Sequence, residues 1–336
     1  MKLLTILGAR PQFIKAGSIS REISKSHKIK EVIVHTGQHY DSNMSDIFFD
    51  ELKIPKPHYF LGNGGKTHGA MTGQMIEKIE EIALRERPDC ILVYGDTNST
   101  LAGAIVASKL HIKLAHIEAG LRSHNMQMPE EVNRILTDRI SNYLFCPTKK
   151  STDNLTQEGF KNFNCDILLS GDVMKDGINF YREFAVKPRL NFDREFILCT
   201  IHRAENTDNV KILKSIVESL NTIHKQYSRV VVPIHPRTSK IIASNNINID
   251  FEIISPVGYL EMIWLIDNSK LVMTDSGGLQ KEAFFLEKNC VVLRNETEWT
   301  ELVELKYNVL AGTKSDVILD VFTNFEFNKN FNNEIF

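Results

Sequence analysis

CILVYGDTNSTLAGAIVASKLHIKLAHIEAG, residues 90–120, carries the signal that decides the fold. Residues 90–95 form a short apolar run that breaks at Gly95. TLAGAIVASKL (100–110) follows as a helix-like stretch. KLAHIEAG (113–120) is again a short apolar run that stops at a glycine. Near-continuous apolar strands joined by helical connectors build a parallel sheet covered on both faces.

The alternation continues in both directions. Upstream, LLTIL (3–7) precedes a helix pattern from Pro11 to about Lys25, and EVIVHTG (31–37) precedes one around 43–52. Downstream, a helix is expected around 130–141, then YLFCPT (143–148), a helix at 150–158 and CDILLSG (165–171). The second half repeats the style. FILCTIH (196–202), RVVVPIH (229–235), FEIIS (251–255), KLVMTDSGG (270–278) and CVVLR (290–294) read as strands. Helices are expected at 209–226, 237–244, 259–268, 279–287 and 298–305.

The 336 residues suit two domains of roughly 150 each. The expected fold class is α/β, with two Rossmann-like doubly wound domains over 1–174 and 175–324 and a tail at 325–336. The stretch 175–194 reads as the connection, and the Asn-rich tail as partly disordered. Two such domains place a ligand in an inter-domain cleft at the C-terminal ends of the strands.

The unusual residues collect at those ends. Arg10 and Lys15 follow the first strand, with Pro11 suited to the first helical position. Cations at a helix start oppose its dipole, which favours an anionic partner; Arg10 suits a fork on phosphate oxygens. Asp275-Ser276-Gly277-Gly278 before a helix makes a phosphate cradle, since glycines admit the ligand and helix-start N–H groups face it. Asp275 reads as a turn or cap residue. Glu282, one turn in, is at the range of ribose hydroxyls, or else simply faces solvent.

Asp96, Glu118 and Glu130 form the acid/base set. Asp96 equally suits an N-cap, and Glu130 with Glu131 a pair of helix-start charges. Three carboxylates on one rim would raise at least one pKa by repulsion, as proton transfer needs. His202 and His235 end equivalent strands of the second half and read as functional or structural. An arginine beside each opposes a metal, so none is expected.

Forty basic against 42 acidic side chains give a net charge of −2, no electrostatic footprint for nucleic acid or a membrane surface. No apolar run spans a membrane, and the short N-terminal run reads as a strand rather than a signal segment. The five cysteines fall in no CxxC spacing and read as reduced thiols of a cytoplasmic protein.

These residues resemble the non-hydrolysing UDP-N-acetylglucosamine 2-epimerases. GARPQFIK (8–15), TGQH (36–39), GDTNSTLAGA (95–104), HIEAGLRS (116–123), PEEVNR (129–134), GDVMKD (171–176), HRAEN (202–206), HPRT (235–238) and TDSGGLQKEA (274–283) carry the likeness in order. The resemblance implies a two-domain GT-B-type fold, a homodimer, a UDP-sugar substrate and no cofactor. It implies that Arg10, Ser276, Gly277 and Gly278 hold the diphosphate with His202 nearby. Glu282 would bind ribose, and His235 would lie near the sugar diphosphate. Lys15 would help close the first-domain side, and Asp96, Glu118 and Glu130 would be the acid/base carboxylates. Trp299 stands where well-studied members carry arginine after Thr-Glu. With HTGQHYD and NMQMPEE, it brings the chain closer to the branch that epimerises UDP-2,3-diacetamido-2,3-dideoxy-glucuronate.

Overall fold

Apolar runs become strands and the stretches between them helices in the computed structural model, which describes residues 1–38, 49, 53–190, 195–331 and 335–336. The chain divides into two units, Met1–Gly177 with Ile335–Phe336, and Ile178–Glu334. The first contains β1 (Lys2–Leu7), α1 (Arg10–Ser24), β2 (Lys30–His35), β3 (Tyr59–Phe60), α2 (His68–Glu86), β4 (Cys90–Tyr94), α3 (Asn98–Lys109) and β5 (Lys113–Ile117). It continues with α4 (Pro129–Ile140), β6 (Tyr143–Cys146), α5 (Lys149–Gln157) and β7 (Asp166–Leu169). Helix α6 (Val173–Arg182) runs across the division between the units.

The second unit contains β8 (Phe196–Thr200), α7 (Ala204–Thr207), α8 (Val210–Gln226), β9 (Arg229–Pro233), α9 (Pro236–Ser244), β10 (Glu252–Ile254) and α10 (Tyr259–Asn268). After these come β11 (Leu271–Thr274), α11 (Gly277–Phe285), β12 (Cys290–Val292), α12 (Thr300–Glu304), β13 (Asn308–Leu310) and α13 (Ser315–Asn324).

Both sheets are parallel at every described pairing. Their orders are β3-β2-β1-β4-β5-β6-β7 and β10-β9-β8-β11-β12-β13. Each sheet therefore reverses its winding once, between β1 and β4 and between β8 and β11. A doubly wound sheet opens a ligand-sized crevice at such a reversal.

Burial explains the legible parts. β4 and β8 are buried at every residue, which is why they read as unbroken apolar runs. In the second unit, Leu213, Ile216, Val217, Leu220 and Ile223 of α8 pack on Val230 and Val232 of β9. Each such fully buried aliphatic side chain contributes about 1.5–3 kcal/mol by leaving water.

Residues 68–86, to which the sequence reading gave no element, form the 19-residue helix α2. Its Met71, Met75, Ile79 and Ile82 cover Leu4, Ile6, Ile91 and Val93 of the first sheet. The expected helix around 43–52 lies almost wholly outside the described residues. The stretch read as a connection, 175–194, is helical as far as Arg182, whose guanidinium pairs with Asp267 at 2.8 Å.

The tail is not loose where it is described. Phe325 and Phe327 pack on the core of the second unit. Phe331 stacks on Tyr307 with ring centroids 5.0 Å apart, and Tyr307 Oη donates to Asn330 O at 2.6 Å. Its aromatic residues are spaced irregularly, which hides this packing from a periodicity search.

Both tryptophans, Trp264 and Trp299, lie in the second unit. Their fluorescence therefore reports its unfolding. Phe331→Ala should destabilise that transition by about 1–3 kcal/mol, less than for a fully buried phenylalanine. An unchanged urea midpoint would mean that the tail does not pack.

Candidate active site

Parallel strands all end at one edge of their sheet, so the turns after β1, β4 and β5 share a rim. Gln12 of α1 joins the first two turns. Its Oε1 accepts from Gly8 N (2.8 Å) and Ala9 N (3.0 Å). Its Nε2 donates to Tyr94 O (2.7 Å), Thr97 Oγ1 (3.0 Å) and Thr100 Oγ1 (2.9 Å). Thr97, not Asp96, caps α3, with Oγ1 accepting from Thr100 N at 3.3 Å. Asp96 is left for another partner, and forms an ion pair with Arg134 of α4.

Glu118 has φ +71°, a left-handed conformation that an ordinary side chain adopts only under external restraint. Phe145 O supplies that restraint by accepting from Glu118 N (3.1 Å) and Ala119 N (3.0 Å). The carboxylate pairs with Lys15 of α1, and both side chains are nearly excluded from solvent. A Cβ on Gly95 would stand 3.3 Å from Glu118 Oε2 and 3.4 Å from Lys15 Nζ. The ion pair thus lies directly against the turn that carries Asp96.

Glu130 is exposed in the first turn of α4. It is four residues from Arg134, a helical neighbour of the Arg134–Asp96 pair. Glu131 has a different role. It is buried and accepts from Ser123 N (2.9 Å), His124 N (3.0 Å) and Arg134 Nη1 (2.8 Å). Asp96 and Glu118 each face a cation, Arg134 and Lys15, that the sequence reading did not place beside them.

The rim of the second unit is organised by Asp275, which has no exposed surface. Its carboxylate accepts from His202 N (3.1 Å), Arg203 N (3.0 Å) and Asn206 Nδ2 (3.1 Å), and His202 Nδ1 lies 3.1 Å from Oδ1. Asp275 is therefore more than a turn residue: it fixes the loop after β8 to the loop after β11. Ser276 caps α11, its Oγ accepting from Leu279 N at 3.3 Å, so Gly277 and Gly278 open the helix. Glu282 is buried in that helix and does not face solvent. His235 is the exposed N-cap of α9, with Nδ1 accepting from Arg237 N at 3.2 Å. β9, β8 and β11 are adjacent, so His235, His202 and the 276–278 turn follow three neighbouring strands. The Arg10 side chain lies outside what is described.

Trp299 braces the same turn. Its Nε1 donates to Gly277 O at 3.0 Å, and Lys281 Nζ sits 4.1 Å from its ring centroid.

A family model described as UDP-N-acetylglucosamine 2-epimerase matches residues 21–334. The chain belongs to this family. It is 56% identical over 321 residues to a UDP-2,3-diacetamido-2,3-dideoxy-D-glucuronate 2-epimerase of Pseudomonas aeruginosa, covering 95% of this chain and 91% of that one. It is 50% identical to a UDP-N-acetylglucosamine 2-epimerase homolog of Methanococcus maripaludis, covering 97% and 92%. The crystal structure of the Methanocaldococcus jannaschii UDP-GlcNAc 2-epimerase with UDP-GlcNAc and UDP superposes with a TM-score of 0.88 at 42% identity, covering 99% and 96%. The fold class is that of the GT-B-type epimerases, with two Rossmann-like units in one chain.

Like other members of the 2-epimerase family, this chain is an isomerase by class. Its cysteines are free thiols. Burial pushes the Cys90 thiol up to about 11 and the Cys146 thiol up to about 12, which keeps both protonated and unreactive. Among the described residues no group of three His, Cys, Asp or Glu is placed to share a metal ion. No described helix is long and apolar enough to cross a membrane.

Asp275→Asn replaces an acceptor-only group by one that also donates, facing three N–H donors. It should destabilise the second unit by about 1–3 kcal/mol in a tryptophan-monitored urea titration. A shift below about 0.5 kcal/mol would remove Asp275 from its organising role.

Proposed function

We propose that the chain inverts C2 of a UDP-linked 2-acetamido sugar without hydrolysing it. The rim of the second unit holds UDP. The N–H groups at the start of α11 and His202 meet the diphosphate, Glu282 the ribose, and His235 the region near the sugar diphosphate. Asp96, Glu118 and Glu130 act at the sugar. The observation that carries this reading is the pair of ion pairs, Lys15–Glu118 and Arg134–Asp96, packed around Gly95 at a winding reversal.

C2 carries no neighbouring carbonyl, so its hydrogen is poorly acidic. The feasible route first breaks the C1–O bond to UDP through an oxocarbenium-like transition state. A carboxylate then takes the C2 proton, leaving a 2-acetamidoglucal. A proton returned to the opposite face, with UDP re-adding at C1, completes the inversion. Cations and helix-start donors stabilise charge growing on the leaving diphosphate, and the carboxylates transfer protons. Lys15 has a double use in this scheme. An arriving diphosphate competes for its ammonium and frees Glu118 to act as a base. Arg10, on the same rim, is assigned to the diphosphate as well.

Of the two sugars considered, the 2,3-diacetamido-2,3-dideoxy-glucuronate is favoured by the greater likeness to the Pseudomonas aeruginosa enzyme. UDP-GlcNAc is the alternative. The reading further makes the protein a cytoplasmic homodimer serving surface-polysaccharide synthesis, in keeping with its free, mostly buried thiols.

Turnover on the two UDP-sugars, followed by NMR, should yield the C2 epimer of one, with free UDP not accumulating. Accumulating UDP would indicate a hydrolysing epimerase, and no epimer without an acceptor would favour a glycosyltransferase. Asp96→Asn, Glu118→Gln and Glu130→Gln should each lower turnover by about 100-fold or more. Near-normal turnover in any one strikes that residue from the mechanism.

A further inference from the structure

His116 sits in β5 with no exposed surface. Its Nδ1 is 2.7 Å from Asp138 Oδ1, and its Nε2 is 2.7 Å from the Gly95 carbonyl oxygen. A carbonyl oxygen only accepts, and so does an ionised carboxylate. Asp138 is ionised. Its second oxygen faces the Arg122 guanidinium and a backbone N–H, which favour the charged carboxylate whatever the state of the ring. A ring that donates from both nitrogens is an imidazolium.

The second oxygen of Asp138 accepts from Gly120 N (3.1 Å) and Arg122 Nη1 (2.7 Å). Arg122 in turn grips Glu158 through Nε (2.6 Å) and Nη2 (2.8 Å). With the ring doubly protonated, two cations stand against two carboxylates. Such a buried network adds little net stability over an apolar core, and its yield is a fixed geometry. The backbone that it fixes has Gly95 at φ +62°, Glu118 at +71° and Gly120 at +79°. Glycine takes a positive φ freely, but Glu118 is strained there, and such a conformation persists only where the surroundings over-determine it.

We propose that Asp138 is a positioning residue for the epimerisation: it keeps His116 doubly protonated, and the chain Gly120–Asp138–His116–Gly95 sets the spacing between the turns that carry Glu118 and Asp96. The inference rests on the roles given to those two carboxylates under the proposed function. In Asp138→Asn the side chain keeps its shape but loses its charge. The ring then falls to its neutral form and keeps one N–H, so one link of the chain is lost or reversed.

The protonation state is read without turnover, which separates this proposal from the epimerase reading. The full-length protein carrying 15N-labelled histidine should show both His116 ring nitrogens protonated at neutral pH. The resonances are assigned by their absence in His116→Gln. In Asp138→Asn, His116 should carry one N–H. Turnover of the sugar that the native enzyme accepts should fall at least about tenfold, with KM within about twofold, since neither Asp138 nor His116 is assigned a contact with the nucleotide. A singly protonated ring in the native protein, or an unchanged kcat in Asp138→Asn, overturns the proposal. A rise in KM proportionate to the fall in kcat would make the role general structural support and overturn it as well.

Discussion

An ionised carboxylate withdrawn from water must be met by a cation or by converging N–H donors, because burying it alone costs several kcal/mol. Strand ends in this chain meet that demand in different ways. Lys15 answers Glu118, and Arg134 answers Asp96. Asp275 is met by backbone N–H groups of His202 and Arg203. Asp138, inside α4, is met by the Arg122 guanidinium, the His116 ring and a backbone N–H together. Each solution joins elements far apart in sequence, so the charges at the rims also fix the loops that carry them.

The division of labour between the units follows from these partners. In the first, Glu118 and Asp96 are held by side-chain cations, Lys15 and Arg134. In the second, Asp275 is saturated by backbone donors and organises rather than reacts. At the start of α11, Trp299 Nε1 donates to Gly277 O.

The sheets were legible because their central strands are apolar on both faces, as in CILVY and FILCT. Rim residues were legible because a glycine or a charge directly after such a strand has few other uses. Helix α2 was passed over although Met71, Met75, Ile79 and Ile82 keep helical spacing, because the Gly-rich lead-in at 62–65 reads as loop. The ion pairs were out of reach, since Lys15 is 103 residues from Glu118 and Arg134 is 38 from Asp96. Gln12 and Asp138 were missed for the same reason: an amide or carboxylate inside a helix looks like surface until its long-range partners are seen.

The central claim is that a hydrogen leaves C2 of the sugar and one returns from the protein. Epimerisation in D2O, followed by NMR of the product, tests it directly. The account requires deuterium at C2 of the epimer; a product that has inverted while keeping its original hydrogen would contradict it.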